Sequence, residues 1–222
     1  MTGPDRPGAR LLDVVAVMDR LRSPGGCPWD AKQTHRTLMP YLLEEAYEVY
    51  DALERDDLEH LREELGDLLL QVVFHARIAS ESGWGIDEVA GDLVDKLVRR
   101  HPHVFEGASA DDLEGSWEAL KAAEKGRVSV TEGVPLGQPA LSLAAKLQRR
   151  AARIGAPVPA GDGSLGGQLW DLVARCQAEG VDPEVALREV AREYRDRLAA
   201  AEAAGSWVGL ERPLTPGGDG SG

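Results

Sequence analysis

Glu45 and Glu48 stand three residues apart, and so do Glu64 and Asp67. Each pair rides on the shoulder of an apolar row. Counted from Leu42, Ala46, Val49 and Leu53 fall at +4, +7 and +11, with Glu45 and Glu48 at +3 and +6. Counted from Leu61, Leu65, Leu68 and Val72 fall at the same apolar offsets, with Glu64 and Asp67 at +3 and +6. At about 100° per residue, each acidic pair lies roughly 60° and 120° from the centre of its row. The spacing predicts two helices that pack antiparallel through their rows and gather four carboxylates on one seam. Four carboxylates in one place cannot all stay ionised without a counter-ion. Hard oxygen donors in that number suit Mg²⁺, or Mn²⁺, with phosphate oxygens and water completing the shell. A cation so held can bind a polyphosphate and activate a water. A lone acidic run is usually a solvated helix face; it is the repeat of one geometry on two helices that points to chemistry. Gly66 adds to this, because a glycine inside a helix costs about 1 kcal/mol and usually answers a packing need.

Other residues could complete such a site. Lys96 and Arg100 are spaced i, i+4 beside Arg99, and cations there suit a phosphate chain. Lys and Arg also favour helix C-termini for purely structural reasons. Trp29 has the chemistry to stack on a nucleobase or on a partner subunit, or to anchor its own loop. His35, His101 and His103 flank the same segments. His101 and His103 bracket Pro102 at a helix end, where capping and packing is the simpler role. Cys27 lacks an indicated catalytic partner, and His60 and His75 carry no signal.

These residues need helices to hold them, and the chain is rich in helix formers. Aromatic residues make up 5% of the chain, while Leu, Ala, Val, Glu and Arg dominate, and no long run alternates apolar with polar residues. The fold class expected is all-α. Helices are predicted from about Leu11 to Leu21, Thr37 to Arg55, Asp56 to Ser82 and Asp87 to Arg100. Asp56 is read as the N-cap of the third, with Glu59 as its N3 partner. A short amphipathic piece is expected over 109–125. Pro139 opens a helix to Gly155, and two more follow at 168–179 and 183–204. The domain plan is a flexible leader over 1–9, a catalytic domain over 10–125, a linker over 126–138, a second helical region over 139–204 and a disordered tail over 205–222.

Composition narrows the class further. The chain has 222 residues, and 25 Lys and Arg against 38 Asp and Glu leave a net charge of −13, a poor balance for binding nucleic acid or an anionic membrane. Apolar residues at 43% are enough for a core. Cys27 and Cys176 lie far apart and suggest no disulfide framework. The longest apolar stretch, 65–78, is interrupted by Asp67, Gln71, His75 and Arg77 and is too short to span a bilayer. The expectation is a soluble cytoplasmic protein.

Several segments together make the sequence recognisable. These are Gly26-Cys27-Pro28-Trp29-Asp30 with Gln33-Thr34-His35, then Pro40 to Glu48, Glu63 to Leu69, and Lys96 to Phe105. Over about residues 10–125 the chain resembles the MazG family of nucleoside triphosphate pyrophosphohydrolases, within the all-α NTP pyrophosphatase superfamily. The EExxE and ExxD patterns occur across that superfamily, whereas the CPWD loop and the KLxRRHPHVF segment are narrower. The resemblance implies Mg²⁺-dependent hydrolysis between the α and β phosphates, giving a nucleoside monophosphate and pyrophosphate, with nucleotide-pool house-cleaning as the role. It implies metal ligation by Glu45, Glu48, Glu64 and Asp67, with Glu45 or Glu48 also orienting the attacking water. It implies substrate contacts from Lys96, Arg100, Trp29 and His35. A four-helix core completed by homodimerisation is expected.

The second half departs from a tandem-domain pattern. Gln138 to Ile154 resembles the opening of a second MazG-like domain, and 169–175, 185–187 and 194–198 resemble its last helices. The glutamate-rich helix between is replaced by Gly155–Gly167, and Glu193 stands where the family's lysine falls. The half reads as a degenerate repeat kept for packing or dimerisation. Two enzyme relatives, acting on dUTP or phosphoribosyl-ATP, are disfavoured by the CPWD loop. A di-iron bundle would need Glu-x-x-His pairs, which are absent here. A catalytically silent nucleotide-binding module is disfavoured by the retention of all four carboxylates and both cations.

Overall fold

The computed structural model describes residues 7–107 and 129–214. The chain divides into two compact units, Met1–Trp117 and Glu118–Gly222. Their described residues are helical, without a strand. The first unit holds α1 (Ala9–Arg22), α2 (His35–Glu54), α3 (Leu58–Ala79), α4 (Ile86–Arg100) and the single turn α5 (Pro102–Phe105). The second holds α6 (Ala140–Arg153), α7 (Leu165–Ala178) and α8 (Pro183–Ala204). The amphipathic piece expected over 109–125 lies outside the described residues.

In the first unit α2 and α3 form an antiparallel hairpin, the most extensively packed helix pair among the described residues. Its two ends are set by side chains. Thr34 caps α2: its hydroxyl accepts from the Thr37 amide at 3.2 Å, and the Thr37 hydroxyl accepts from the Thr34 amide at 2.9 Å. This reciprocal box starts α2 at His35, two residues before the predicted start. At the other end, the Asp57 amide bonds the Ala52 carbonyl at 3.1 Å and the Asp56 amide bonds the Leu53 carbonyl at 3.3 Å. That is a Schellman close, with Asp56 in the left-handed region at φ 52°. Asp56 is therefore not the cap of α3. Asp57 is, accepting from the His60 amide at 3.1 Å, because the left-handed residue finishes α2 and leaves only its successor free to cap.

The core of this unit is Met18, Leu38, Val73, Phe74 and Ile78, flanked by Val14, Val15, Leu21, Leu69 and Ile86. The predicted packing of α2 on α3 through the rows of Leu42 and Leu61 is not what forms. Leu42, Leu53, Leu65 and Val72 are exposed, Leu65 by 49%. Buried instead are Leu38 and Ala52 on α2 and Glu64, Gln71, Val73, Phe74, Ala76 and Ile78 on α3. Val49, Leu61 and Leu68 of the same rows are half-buried, so the rows are only partly covered while Glu64 turns inward. On α4, Leu93, Val94 and Leu97 are exposed as well, and that helix buries no residue.

In the second unit Ser164 caps α7 through the Gly167 amide at 3.1 Å, so α7 begins three residues before the predicted 168. Asp182 caps α8 through the amides of Glu184 and Val185. Gln148 of α6 is 3% exposed. Its amide nitrogen donates to the Trp170 carbonyl at 3.0 Å, and its oxygen accepts from Gln177 at 2.6 Å. An apolar pocket of about 300 Å³ opens beside it, lined by Leu147, Ala151, Pro157, Val158 and Trp170. Beyond α8, Arg197 donates to the carbonyls of Arg212 and Pro213.

Candidate metal and nucleotide site

Carboxylate oxygens of Glu45, Glu48 and Glu64 all lie within 4.8 Å of one another. Glu45 and Glu48 come from one face of α2, and Glu64 crosses the seam from α3. Glu64 is 6% exposed, and Glu45 is half-buried. Asp67, the fourth ligand expected from sequence, is not one of the converging three; it sits one turn along α3, half-buried, and acts on them by its charge.

The electrostatics follow from this crowding. The Glu45 carboxyl is pushed above its usual range, first by burial, then by the charge of Asp67 and a hydrogen bond shared with Glu48. Glu64 is raised too, first by burial, then by the charge of Glu48. His60 opposes that rise: its Nδ1 lies 3.3 Å from a Glu64 oxygen. Both shifts come first from burial and then from the neighbouring carboxylates.

The donor set fits a small hard cation. Three carboxylates whose oxygens lie within 4.8 Å of one another are the hard-oxygen donor set that such a cation takes. Among the described residues, no other group of three or more ligating side chains converges in this way.

Lys96 and Arg100 lie one turn apart on α4, both half-buried. Trp29 is 51% exposed in the loop before α2, and its ring meets Tyr41 edge-on with centroids 6.1 Å apart. Tyr41, Glu45 and Glu48 follow one another at +4 and +3, which places the aromatic pair one turn above the acidic row on the same face of α2. His35 is turned against His75: the rings stack with centroids 5.1 Å apart and the Nδ1 atoms are 2.7 Å apart. Burial, then His35, hold the His75 imidazole below its usual range, and its Nε2 is buried without a partner. His101 Nδ1 lies 2.6 Å from the Leu97 carbonyl, in keeping with the capping role expected of it.

Sequence reasoning passed over two of these residues. His60 was legible, since it precedes Glu64 by four positions on one helix. The pairing of His35 with His75 joins positions forty apart and left no local trace. No described helix is long and apolar enough to cross a membrane.

Residues 33–105 match the family model of the MazG nucleotide pyrophosphohydrolase domain. A Streptomyces cacaoi protein named an uncharacterized 26.1 kDa protein in the blaB 3' region is 56% identical, over 89% of this chain and 85% of its own. A Mycobacterium tuberculosis protein named nucleoside triphosphate pyrophosphohydrolase is 44% identical, over 97% of this chain and 67% of its own. The Thermotoga maritima protein named nucleoside triphosphate pyrophosphohydrolase/pyrophosphatase MazG is 40% identical, over 88% of this chain and 86% of its own.

Proposed function

The chain belongs to the MazG family of nucleotide pyrophosphohydrolases, and on that premise we propose that it hydrolyses nucleoside triphosphates, ribo- and deoxyribo-, between the α and β phosphates, releasing a nucleoside monophosphate and pyrophosphate. The observation that carries the reading is the convergence of Glu45, Glu48 and Glu64 across the hairpin seam. These three, with Asp67, would hold Mg²⁺, or Mn²⁺ in its place. A bound divalent cation supplies charge neutralisation for the polyphosphate and a more acidic water.

The chain's own groups do the rest. Glu45 or Glu48 accepts the proton of the attacking water and aims it, since both stand on one face of α2 within the converging triad. The raised position of Glu45 brings it nearer the range in which a general base works. Lys96 and Arg100 neutralise phosphate oxygens from α4. Trp29 offers an aromatic face to the base, braced edge-on by Tyr41, with His35 at the same end of α2. Clearing of non-standard or damaged nucleotides from the cytoplasmic pool is the biological role this chemistry suits.

We also infer a homodimer. Leu42, Leu65, Val72, Leu93 and Leu97 are apolar and exposed on the three longest helices around the site. A second copy covering them would complete a four-helix core. Chemistry then resides in the first unit, and the second acts as a degenerate repeat in packing or assembly.

The decisive experiment measures pyrophosphate release from a panel of NTPs and dNTPs, oxidised and deaminated ones included, with and without Mg²⁺. Mg²⁺-dependent release supports the reading. A metal-independent rate, or orthophosphate as the first product, would sink it. Light scattering that gave a monomer at micromolar concentration would remove the dimer.

A further inference from the structure

Arg22, the last residue of α1, points its guanidinium inward, and its side chain is 8% exposed. One nitrogen, Nη1, donates to the carbonyls of Asp30 at 2.7 Å and Gln33 at 3.0 Å. Nε donates to Glu81 at 2.9 Å, in the short turn that follows α3. The two carbonyls bracket the end of the loop that carries Trp29, and both Asp30 and Gln33 are buried. Gln33 passes the constraint on: its amide nitrogen donates to the Trp29 carbonyl at 3.0 Å, and its oxygen accepts from the Thr37 hydroxyl at 2.7 Å. Thr37 is half of the box that starts α2.

One guanidinium therefore ties the end of α1, the CPWD loop and the end of α3, and through Gln33 the start of α2. Lysine cannot replace it, because a single ammonium on a flexible stem does not offer the fixed fork that meets two carbonyls and a carboxylate at once.

We infer that Arg22 is a positioning residue for the nucleotide site: it locks the Cys27–Gln33 loop so that Trp29 is presented against Tyr41, one turn above the carboxylate row. This rests on the proposed reading of Trp29 as the wall for the base. Without the lock, the loop keeps its sequence and loses its pose. Alignment of the bound nucleotide is then paid in binding, while the carboxylates on the hairpin are untouched.

The test uses the full chain and the variants Arg22→Lys, Trp29→Ala and their combination, with circular dichroism to confirm folding. Arg22→Lys is expected to raise KM for the triphosphate by roughly tenfold with little change in kcat, since misplaced positioning groups act on alignment. The Mg²⁺ concentration at half-maximal rate should stay put. In the Trp29→Ala background the same substitution should add nothing to KM. Hydrogen exchange should quicken at the loop amides and not along α3. Equal KM effects in both backgrounds, an unchanged KM in the folded variant, or unchanged loop exchange would each overturn the inference. Glu81→Gln, at an exposed side chain, provides a milder release of the same clamp should Arg22→Lys fold poorly. If the wild-type chain releases no pyrophosphate, the proposed function falls, and loop exchange still decides whether Arg22 locks the loop.

Discussion

The two units bury polar groups between helices in opposite ways. In the second, Gln148 satisfies itself: it gives one hydrogen bond to the Trp170 carbonyl and takes one from Gln177, all within the seam. In the first, Glu45, Glu48 and Glu64 crowd the seam of α2 and α3, and burial followed by neighbouring charge raises the Glu45 and Glu64 carboxyls above their usual range. A neutral amide pair is a finished structure. A cluster of three carboxylates is the donor chemistry that a hard divalent cation takes. The two seams thus differ in what they bury: an amide pair with its hydrogen bonds made in one, crowded carboxylates in the other.

The largest effect that would break this contrast is chemical. Glu48→Gln or Glu64→Gln should reduce turnover at least about 100-fold, more than the roughly 10–100-fold typical of losing an outer partner of a metal ligand. Circular dichroism should stay unchanged, because no core volume is removed. Near-normal pyrophosphate release in both variants would show that the seam binds nothing essential.

Next comes stability in the second unit. Gln148→Leu leaves the Gln177 amide without its partner and takes from the Trp170 carbonyl the hydrogen bond it accepts beyond its own helix, which should cost about 1–3 kcal/mol in urea unfolding. KM and kcat should not move. A kinetic defect in this variant would blur the division between the units.

A smaller effect should appear in the pH dependence of the metal-free protein. Glu45 and Glu64 have folded-state values above the ordinary 4.5. The fold therefore binds their protons more tightly than the unfolded chain does. That contribution is fully present below 4.5 and is lost as pH rises through the raised values. Relative to Glu45→Gln/Glu64→Gln, the wild-type Tm should drop as pH climbs through this window, by a few degrees at most (about 4–8 °C per kcal/mol in a small domain). Mg²⁺ at neutral pH should reverse the loss in the wild type alone. A Tm difference that did not change with pH would contradict the electrostatic account.

The smallest effects are expected in the second unit. Asp171→Asn and Glu193→Gln should leave the turnover number as it is. A fragment ending at Lys125 should retain Mg²⁺-dependent pyrophosphate release provided that it folds. Inactivity of a soluble, helical fragment together with inactivity of those two variants would place the second unit in the site.

Much of this was legible from residue spacing, and what was not has a physical reason. The periods of α2 and α3 gave both helices and the shared side of their carboxylates, because side-chain direction on a helix is local. Which side would face the partner was not legible. Leu42 and Leu65 have the apolarity of a core position, and in one chain they lie at the surface while Glu64 is buried. Sequence hydrophobicity does not distinguish a row that meets its own hairpin from one that awaits another surface. The misplaced cap had a similar origin: Asp56 and Asp57 are alike as capping residues, and the choice fell to a left-handed turn that only the end of α2 imposes. Gly166 and Gly167 concealed the first turn of α7, because their propensity argues against the helix that Ser164 starts. The role of Arg22 was invisible, since its partners are backbone carbonyls and carry no residue signature.

The Schellman close at Asp56 also bears on how the molecule reaches its native state. It joins α2 to α3 with a connection of three residues, so the triad is assembled by neighbours in sequence, with low contact order and little loop entropy to overcome. If this hairpin closes early in folding, the repulsion among its carboxylates is met on the way to the barrier, and a proton or divalent cation that relieves it should speed refolding more than it slows unfolding. Refolding and unfolding rates measured with and without Mg²⁺ read out that order directly.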